Sequence, residues 1–269
     1  MSETRRKPGF GKGVLRRAKG LEKFGGGRFH PPESLAPFVE HFWTTHWDLR
    51  GQPVYHQDVL PHPSVNLVLE PGCSEVVGVM TGKFTRRLEG LGRVFSAMFW
   101  PGGFSAFYDG EQAELTDRRI PLGELFDIDV HALEVQVFEV ATDDAARIEA
   151  LAAMLSACEP VMDPAAQQAQ DIVKLIVEDP EILRVDHVAQ RVGLGVRTLQ
   201  RLFSRHVGAS PKWVIRRKRL HEAAERLADP EAPDLASLAA ELGYADQAHF
   251  VRDFRNLVGV TPASYAKQL

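Results

Sequence analysis

The segment GYADQAHFVRDFRNLVGVTPASY, residues 243–265, decides how the C-terminal part of this chain folds. Gly243 follows a short run of periodic apolar residues, and a glycine at that point is typical of the turn between two helices. Asp246 is placed to cap the second helix, in which Phe250 and Phe254 recur at helical spacing. The segment therefore predicts a helix-turn-helix whose second helix buries one side and leaves the other free to enter a DNA groove.

The second helix is expected to end at Gly259, and Thr261 followed by Pro262 forms an N-cap with proline at the first helical position. The same pattern occurs about fifty residues earlier, with an offset of 50 up to the central glycine and 51 after it. The matched residues are Ala189, Gly193, Leu199, Phe203, Gly208, Ser210 and Pro211 against Ala239, Gly243, Phe250, Phe254, Gly259, Thr261 and Pro262. The chain is therefore predicted to contain two helix-turn-helix units.

Length and composition are those of a globular protein: 269 residues, 44% hydrophobic and 25% charged, enough for two domains. No apolar run approaches the roughly 18 residues that a membrane helix needs, and the basic N-terminus lacks the apolar core of a signal peptide. The only cysteines, Cys73 and Cys158, fit neither a disulfide framework nor a metal site. We expect a cytoplasmic, nucleoid-associated protein with no membrane partner.

The net charge of -4 conceals a segregation along the chain. Residues 1–28 carry 9 basic and 2 acidic side chains, residues 29–180 carry 9 and 24, and residues 181–269 carry 14 and 10. The basic C-terminal part coincides with the helix-turn-helix repeat. This distribution favours a polyanionic partner, because lysine and arginine near phosphates supply much of the affinity for nucleic acids.

Residues 1–27 are basic and rich in glycine, which predicts a flexible arm. Residues 28–126 alternate short strand patterns with turns, after one helix expected near residues 33–43. They predict a small barrel or rolled sheet that serves as a sensor or dimerisation domain. The expected strands are Val54 to Leu60, Val65 to Leu69, Val76 to Thr81, Phe84 to Leu88 and Val94 to Trp100. Its aromatic residues, which could form either a core or ligand-pocket walls, are Phe42, Trp43, Trp47, Phe95, Phe99, Trp100, Phe104 and Phe107.

Four histidines in this region, His41, His46, His56 and His62, have no diagnostic metal-ligand spacing, so we predict no metal, and we expect no cofactor. No catalytic signature is present in the sequence, and we predict that the protein is not an enzyme. Ligand-binding residues remain unassigned. Residues 127–162 form an expected helical connector, whose apolar side chains serve either dimer contacts or packing within the domain.

The expected DNA-binding domain covers residues 163–269 and opens with Asp163-Pro164 at a helix start. In the first unit, Arg197, Gln200 and Arg201 fall on the polar side of a helix from about Val196 to His206. Arginine can pair with guanine and glutamine with adenine in the major groove. A basic helix between the units, beginning after Ser210, is expected to contact phosphates. The phosphate-contact candidates are Lys212, Arg216, Arg219 and Arg255.

Residues from about 164 to 269 closely resemble the DNA-binding domain of the AraC/XylS family of bacterial transcription regulators. The resemblance rests on GYADQAHFVRDFR at residues 243–255, followed by Gly259, Thr261-Pro262 and Tyr265. It implies two helix-turn-helix units joined by a long helix, whose recognition helices enter successive major grooves about one turn, roughly 34 Å, apart. By position, the base-reading residues would be Arg197, Gln200, Arg201, Gln247, Ala248, His249 and Arg252. Ala266 departs from the arginine that many members carry there.

The N-terminal part resembles the sensor domain of a subgroup of these regulators through LPHPSVNLV at residues 60–68 and FWPGG at residues 99–103. This resemblance implies effector sensing or dimerisation without naming a ligand. The predicted fold class is α+β, with a β-rich barrel-like domain followed by an all-α DNA-binding domain. The predicted function is transcription regulation at double-stranded promoter DNA, by recruiting or blocking RNA polymerase.

A small-molecule effector and a homodimer remain open as further partners. Two alternative functions also remain open: a metal-dependent barrel enzyme fused to a DNA-binding module, and an architectural DNA binder. Within the predicted DNA-binding domain, the first unit is expected to make more base-specific hydrogen bonds than the second, because Ala248 and Val251 occupy the places of Arg197 and Gln200.

Overall fold

The computed structural model describes residues 6–7, 23–229 and 233–267. Its N-terminal part is built from two antiparallel sheets. The strands are β1 (Arg6–Lys7), β2 (Phe24–Phe29), β3 (Val39–Leu49), β4 (Tyr55–Val59), β5 (Asn66–Leu69), β6 (Glu75–Val77), β7 (Phe84–Leu88), β8 (Gly90–Phe99) and β9 (Arg119–Pro121). Seven of them form one sheet in the order β1-β2-β3-β8-β5-β6-β9, and β4 pairs with β7 in a second sheet.

Strand β8 shows how the larger sheet divides its side chains between two faces. Phe95, Ala97 and Phe99 are buried in a core shared with helices, whereas Val94 belongs to a separate cluster that includes Leu88 of the smaller sheet. Successive side chains of a strand point to opposite faces. One face of the larger sheet is therefore covered by helices and the other by the β4–β7 pair.

Three expectations for this region are corrected by the structure. The expected barrel is not closed among the described residues, because β4 and β7 pair with each other while β1 and β9 remain edges of the larger sheet. The helix expected at residues 33–43 is instead a 3₁₀ turn at Glu33–Leu35 followed by β3, whose many β-branched and aromatic residues favour a strand. In the expected flexible arm, residues 6–7 and 24–27 are strand. Residues 1–5 and 8–22 of that arm lie outside the described residues.

The connector expected at residues 127–162 packs into the N-terminal domain. Its helices follow α1 (Leu122–Leu125) and are α2 (Val130–Val135), a π-helical turn at Gln136–Val140, and α3 (Asp144–Ala157). Ile148, Leu151 and Leu155 of α3 lie in the same core as Phe95 and Phe99. Of the two roles left open by the sequence, the structure shows packing within the domain.

The C-terminal part is helical, as expected. Its helices are α4 (Pro164–Glu178), α5 (Val185–Val192), α6 (Val196–His206), α7 (Pro211–Arg226), α8 (Leu235–Glu241), α9 (Gln247–Val258) and α10 (Pro262–Ala266). The expected N-caps are confirmed, since the side chains of Asp163, Ser210, Asp246 and Thr261 each accept a hydrogen bond from a backbone N–H in the first turn of the following helix. Such caps satisfy N–H groups that have no partner inside the helix.

Two segments of the N-terminal domain enter the cores of the C-terminal domain. Leu60, 2% exposed, packs with Leu220, Phe250 and Phe254 in the core of the second helix-turn-helix unit. Val79, 1% exposed, packs with Phe203 and other residues in the core of the first unit. The two domains therefore share apolar cores.

Candidate nucleic-acid interface

The first helix-turn-helix unit consists of α5 and α6. Gly193 ends α5 with φ of 68°, in the left-handed region that glycine adopts without steric cost. Leu199 and Phe203 of α6 are fully buried. The three candidate base-reading residues of this helix, Arg197, Gln200 and Arg201, are all exposed.

The second unit consists of α8 and α9 and repeats this arrangement. Gly243, in the turn, has φ of 73°, and Phe250 and Phe254 of α9 are fully buried. The candidates on this helix, Gln247, Ala248, His249 and Arg252, are all exposed. The Nε2 of His249 lies 3.6 Å from Oδ2 of Asp253. Each unit thus has one buried apolar face and one exposed face that is available to a partner.

The cations of α7 occupy different positions from those that the sequence suggested. The Arg219 guanidinium lies over the Tyr244 ring, 3.6 Å from its centroid, and burial lowers its pKa. Lys218 donates from Nζ to the carbonyl oxygen of Asp179, 2.5 Å away, and burial lowers its pKa too. Arg219 thus joins α7 to Tyr244 of the second unit, and Lys218 joins α7 to the end of α4. A phosphate contact by Arg219 stays a prediction.

The remaining phosphate-contact candidates are more accessible. Lys212 and Arg255 are exposed, and Arg216 is half-buried with Nη1 3.9 Å from Oδ1 of Asp253. Lys212, Arg216 and Arg255 therefore remain predicted phosphate contacts.

Arg217 is the most buried cation of α7 and joins the two domains. Its Nε donates to the carbonyl oxygen of Pro61, and its Nη2 lies 2.8 Å from Nδ1 of His62. A guanidinium has only donors, so His62 must accept at Nδ1. Burial lowers the pKa of Arg217 to about 9, which leaves it charged at neutral pH, and the Glu40 carboxylate opposes that shift.

The burial of Arg217 has a detectable pattern in the sequence. Arg217 lies four residues after Trp213 and three before Leu220, both of which are buried, so it falls on the apolar side of α7. Arg219 similarly lies midway between the buried Ile215 and Ala223. Helical periodicity therefore places both cations in line with buried apolar residues, although the basic composition of the helix obscures this pattern.

An acidic turn of the N-terminal domain adjoins the end of α6. The Ser204 hydroxyl donates to Oε2 of Glu111 at 3.0 Å, and Ser204 lies on the polar side of the helix. Further contacts join Ser105 Oγ to His206 Nδ1, at 3.2 Å, and the Thr116 hydroxyl to the carbonyl oxygen of Gly208. The N-terminal domain thus carries negative charge to one end of the candidate DNA-reading face.

A cavity of about 260 Å³ lies between the two sheets of the N-terminal domain. Trp43 and Trp47 of β3 and Phe84 of β7 line it, whereas Phe95 and Phe99 lie in the core on the opposite face of the larger sheet. The aromatic residues of this domain are therefore divided between a cavity wall and a packed core. Strand pairing decides that division, which the sequence left open.

The four histidines do not converge on a metal site. Among the residues that the structure describes, no group of three or more His, Cys, Asp or Glu side chains could hold a metal ion. His62 is hydrogen-bonded to Arg217, and Nδ1 of His41 lies 3.8 Å from Oε1 of Glu40.

No helix in the described ranges combines the length and apolar character needed to cross a bilayer.

Comparison with known proteins identifies both parts of the chain. Residues 27–121 match the model of a domain of unknown function, DUF6597, and residues 188–268 match that of a helix-turn-helix domain. "Probable transcription factor PqrA" of Proteus vulgaris is 30% identical over 98 residues, which cover 35% of this chain and 80% of PqrA. The chain belongs to the AraC/XylS family of transcription regulators. The resemblance of the C-terminal domain to this family is thereby confirmed.

This AraC/XylS-family chain is also similar to longer regulators. It is 33% identical over 81 residues to the HTH-type transcriptional activator RhaS of Pectobacterium carotovorum, covering 30% of this chain and 29% of RhaS. It is 26% identical over 98 residues to an uncharacterized HTH-type transcriptional regulator of Haemophilus influenzae, covering 36% of this chain and 33% of that relative. The matched part thus spans about a third of each of these relatives.

Among solved structures, ToxT from Vibrio cholerae is similar to this family member with a TM-score of 0.40 at 12% identity, covering 92% of this chain and 99% of ToxT. The C-terminal domain of AraT, a response regulator from Geobacillus stearothermophilus, is similar with a TM-score of 0.34 at 26% identity. That match covers 40% of this chain and 87% of the AraT domain.

Proposed function

We propose that this protein regulates transcription by placing α6 and α9 in the major groove of promoter DNA, and that a small molecule held by the N-terminal domain controls that placement. The observation that supports it most is the pair of helix-turn-helix units. Each has its own buried apolar core and an exposed polar face. Helix α7 joins the two units, which suits recognition of two neighbouring grooves on one side of DNA.

The exposed side chains suggest how sequence would be read. Arg197, Gln200 and Arg201 on α6 present groups that can bond to guanine and adenine edges. Gln247 and Arg252 offer the same chemistry on α9, where Ala248 can contact only apolar groups such as the thymine methyl. The first unit would therefore supply more of the base-specific hydrogen bonds.

The proposal includes RNA polymerase as the protein partner at the promoter and leaves a homodimer as a further state of the protein. It also holds that the chain has no enzymatic activity of its own. Support comes from the relatives, which are described as transcription regulators or transcription factors. An enzyme that used a metal in the N-terminal domain receives no support from the positions of the four histidines in the described part of the chain.

Selection of binding sites from a random DNA library, followed by a salt titration, tests the proposal. The full chain is used, because Leu60 and Val79 complete the cores of the two units. We expect a preferred sequence with two half-sites about one turn, roughly 10 base pairs, apart and an affinity that falls steeply with salt. Equal enrichment of all sequences would contradict sequence-specific regulation and would favour an architectural DNA binder.

A further inference from the structure

The cavity between the two sheets is too large to be an ordinary packing defect. Protein interiors are close-packed and contain few voids larger than a water molecule. This cavity measures about 260 Å³, and an apolar cavity of about 150 Å³ in another protein stays dry and binds benzene. The space is therefore sufficient for a molecule larger than a single ring.

The walls of the cavity favour an apolar ligand. Trp43, Trp47, Val68 and Met98 line it from the larger sheet, and Phe84 and Leu88 line it from the smaller sheet. The indole N–H of Trp47 is already bonded to the carbonyl oxygen of Glu89, at 3.0 Å. Trp47 therefore offers the cavity its carbon ring rather than a free donor, which suits an aromatic or alicyclic guest.

Two of the three arginines on the wall, Arg86 and Arg119, have carboxylate partners. Arg86 donates to Glu70, and Arg119 donates to Glu75 while its guanidinium lies 5.9 Å from the centroid of the Phe84 ring. An anionic ligand would have to compete with those two carboxylates, and a cationic ligand would meet the two guanidinium groups. The geometry thus favours an uncharged guest.

One edge of the cavity continues directly into the second helix-turn-helix unit. Leu60, Pro61 and His62 all line the cavity. Leu60 also packs in the core of the second unit, Pro61 and His62 bond to Arg217, and the His62 ring lies 5.7 Å from that of His221 on α7. A displacement of this segment must therefore disturb α7 and the unit that follows it.

Another edge continues into the first unit. Gly78 and Met80 line the cavity, while Val79 between them is buried in the core of the first unit. The next residue, Thr81, accepts a hydrogen bond at its carbonyl oxygen from the indole N–H of Trp213, at 3.0 Å. The cavity is thus bordered by two segments, and each of them supplies one apolar side chain to one helix-turn-helix core.

From this arrangement we propose that the cavity binds a compact, uncharged, largely apolar molecule of one or two rings, and that its occupancy sets the relative position of the two helix-turn-helix units. Arg217 is the polar link in this coupling and acts as a positioning residue. This inference rests on the proposed DNA-binding function. It adds the chemical class of the ligand and the contacts through which the ligand would control DNA binding. Because packed interfaces move between discrete arrangements, a small wall displacement can change how both reading helices meet DNA.

Binding is tested by calorimetry on the full chain with indole and 2-naphthol as uncharged probes and with 2-naphthoate as a charged probe of matched shape. We expect at least one uncharged probe to bind, and 2-naphthoate to bind at least about tenfold more weakly than 2-naphthol. Val68→Phe fills the cavity from the larger sheet and should abolish binding of the probes. Val59→Phe fills it from the smaller sheet, should have the same effect, and replaces the first variant if that variant does not fold. Val54→Phe, an exposed position outside the cavity, should leave binding unchanged.

Coupling is tested by measuring affinity for the selected DNA with and without saturating 2-naphthol, or indole if only that probe binds. The wild-type affinity should change by about fivefold or more, a typical size for coupling between two sites. Arg217→Gln should still bind the probe and the DNA but lose most of that change. Arg217→Lys is the second variant, since a lysine cannot reproduce the two bonds of the guanidinium.

The outcomes separate this inference from the proposed function. Sequence-specific DNA binding without binding of either uncharged probe would overturn the inference and leave the proposed function standing. Equal binding of 2-naphthoate, or unchanged probe binding by both cavity-filling variants, would overturn the assignment of ligand and cavity. Probe binding without a change in DNA affinity would overturn the coupling between the cavity and the DNA-binding units. If both Arg217 variants showed the full wild-type change in DNA affinity, the coupling would not run through Arg217. Absence of DNA binding would refute the proposed function, and calorimetry would still show whether the cavity binds the uncharged probes.

Discussion

Leu60→Ala should destabilise the C-terminal domain although Leu60 belongs to the N-terminal domain. The side chain is 2% exposed and packs with Leu220, Phe250 and Phe254. The change removes three buried carbons, worth about 0.8 kcal/mol each, or about 2.4 kcal/mol in total. The vacated space adds a further penalty, because the surrounding helices can close it only in part. We expect the free energy of unfolding to fall by about 3 kcal/mol.

Equilibrium urea unfolding followed by far-ultraviolet circular dichroism measures this loss, because that signal comes mainly from the helices of the C-terminal domain. Leu91→Ala is the matched control: Leu91 lies in the same domain but is 67% exposed, and its loss should cost less than about 0.5 kcal/mol. A cost below about 1 kcal/mol for Leu60→Ala would refute the shared core. A C-terminal transition that is unchanged while only the N-terminal domain is destabilised would refute it equally.

Four further predictions follow from the candidate interface and its supports. Arg201→Ala and Arg252→Ala should each cost about 1–3 kcal/mol in binding to the selected DNA site and relax specificity locally, as measured by fluorescence anisotropy on substituted sites. Asp246→Ala should lower the free energy of unfolding by about 1 kcal/mol in urea titrations, because the carboxylate caps α9 by accepting from a backbone N–H at 2.7 Å. Glu111→Gln should raise DNA affinity about two- to threefold at low salt, since it removes a negative charge beside the reading face. Burial lowers the pKa of His206 below 6.5, so the stability that its neutral form supports is present above pH 6.5 and is lost as the pH falls from 6.5 through the lower pKa of the folded state. His206→Gln should flatten the pH dependence of the urea midpoint below pH 6.5.

Each of these predictions has a control that separates the stated cause from a general effect. Lys212→Ala should weaken binding equally on selected and random DNA, and an identical pattern for the two arginine variants would reassign them to phosphate contacts. Asp246→Asn should retain the stability, because asparagine caps a helix as well as aspartate does. Glu124→Gln on α1 should leave DNA affinity unchanged, and an equal gain there would point to net charge rather than position. An acid response unaltered by His206→Gln would assign that response to other groups.

The helices of the C-terminal domain could be located from the sequence because their determinants are local. Asp246 and Thr261 are observed as N-caps, and Gly259 ends α9, as expected. Caps and apolar stripes involve residues three or four apart, so a short window contains the complete interaction. The turn of the second unit, α9 and the start of α10 were therefore predictable from one stretch of 23 residues.

The N-terminal domain was less predictable because strand pairing is not local. The strands expected at Phe84 to Leu88 and Val54 to Leu60 correspond to β7 and β4, yet neither their pairing with each other nor the open order of the larger sheet was predicted. Strand β3 was mistaken for a helix at its start, although its pairing with β8 extends along most of its length. Residues about fifty positions apart form that ladder, so the contacts that decide the conformation lie outside any local window.

By itself, the sequence determined the α+β class, the two helix-turn-helix units and the exposed faces that carry Arg201 and Arg252. Only the tertiary structure decided that Arg217 joins the domains, that Arg219 packs on Tyr244, and that a cavity borders both helix-turn-helix cores. The physical reason is the range of the interactions. Helix caps and periodic faces are completed within a few residues, whereas Arg217 and the Thr81 segment beside the cavity meet partners more than a hundred residues away.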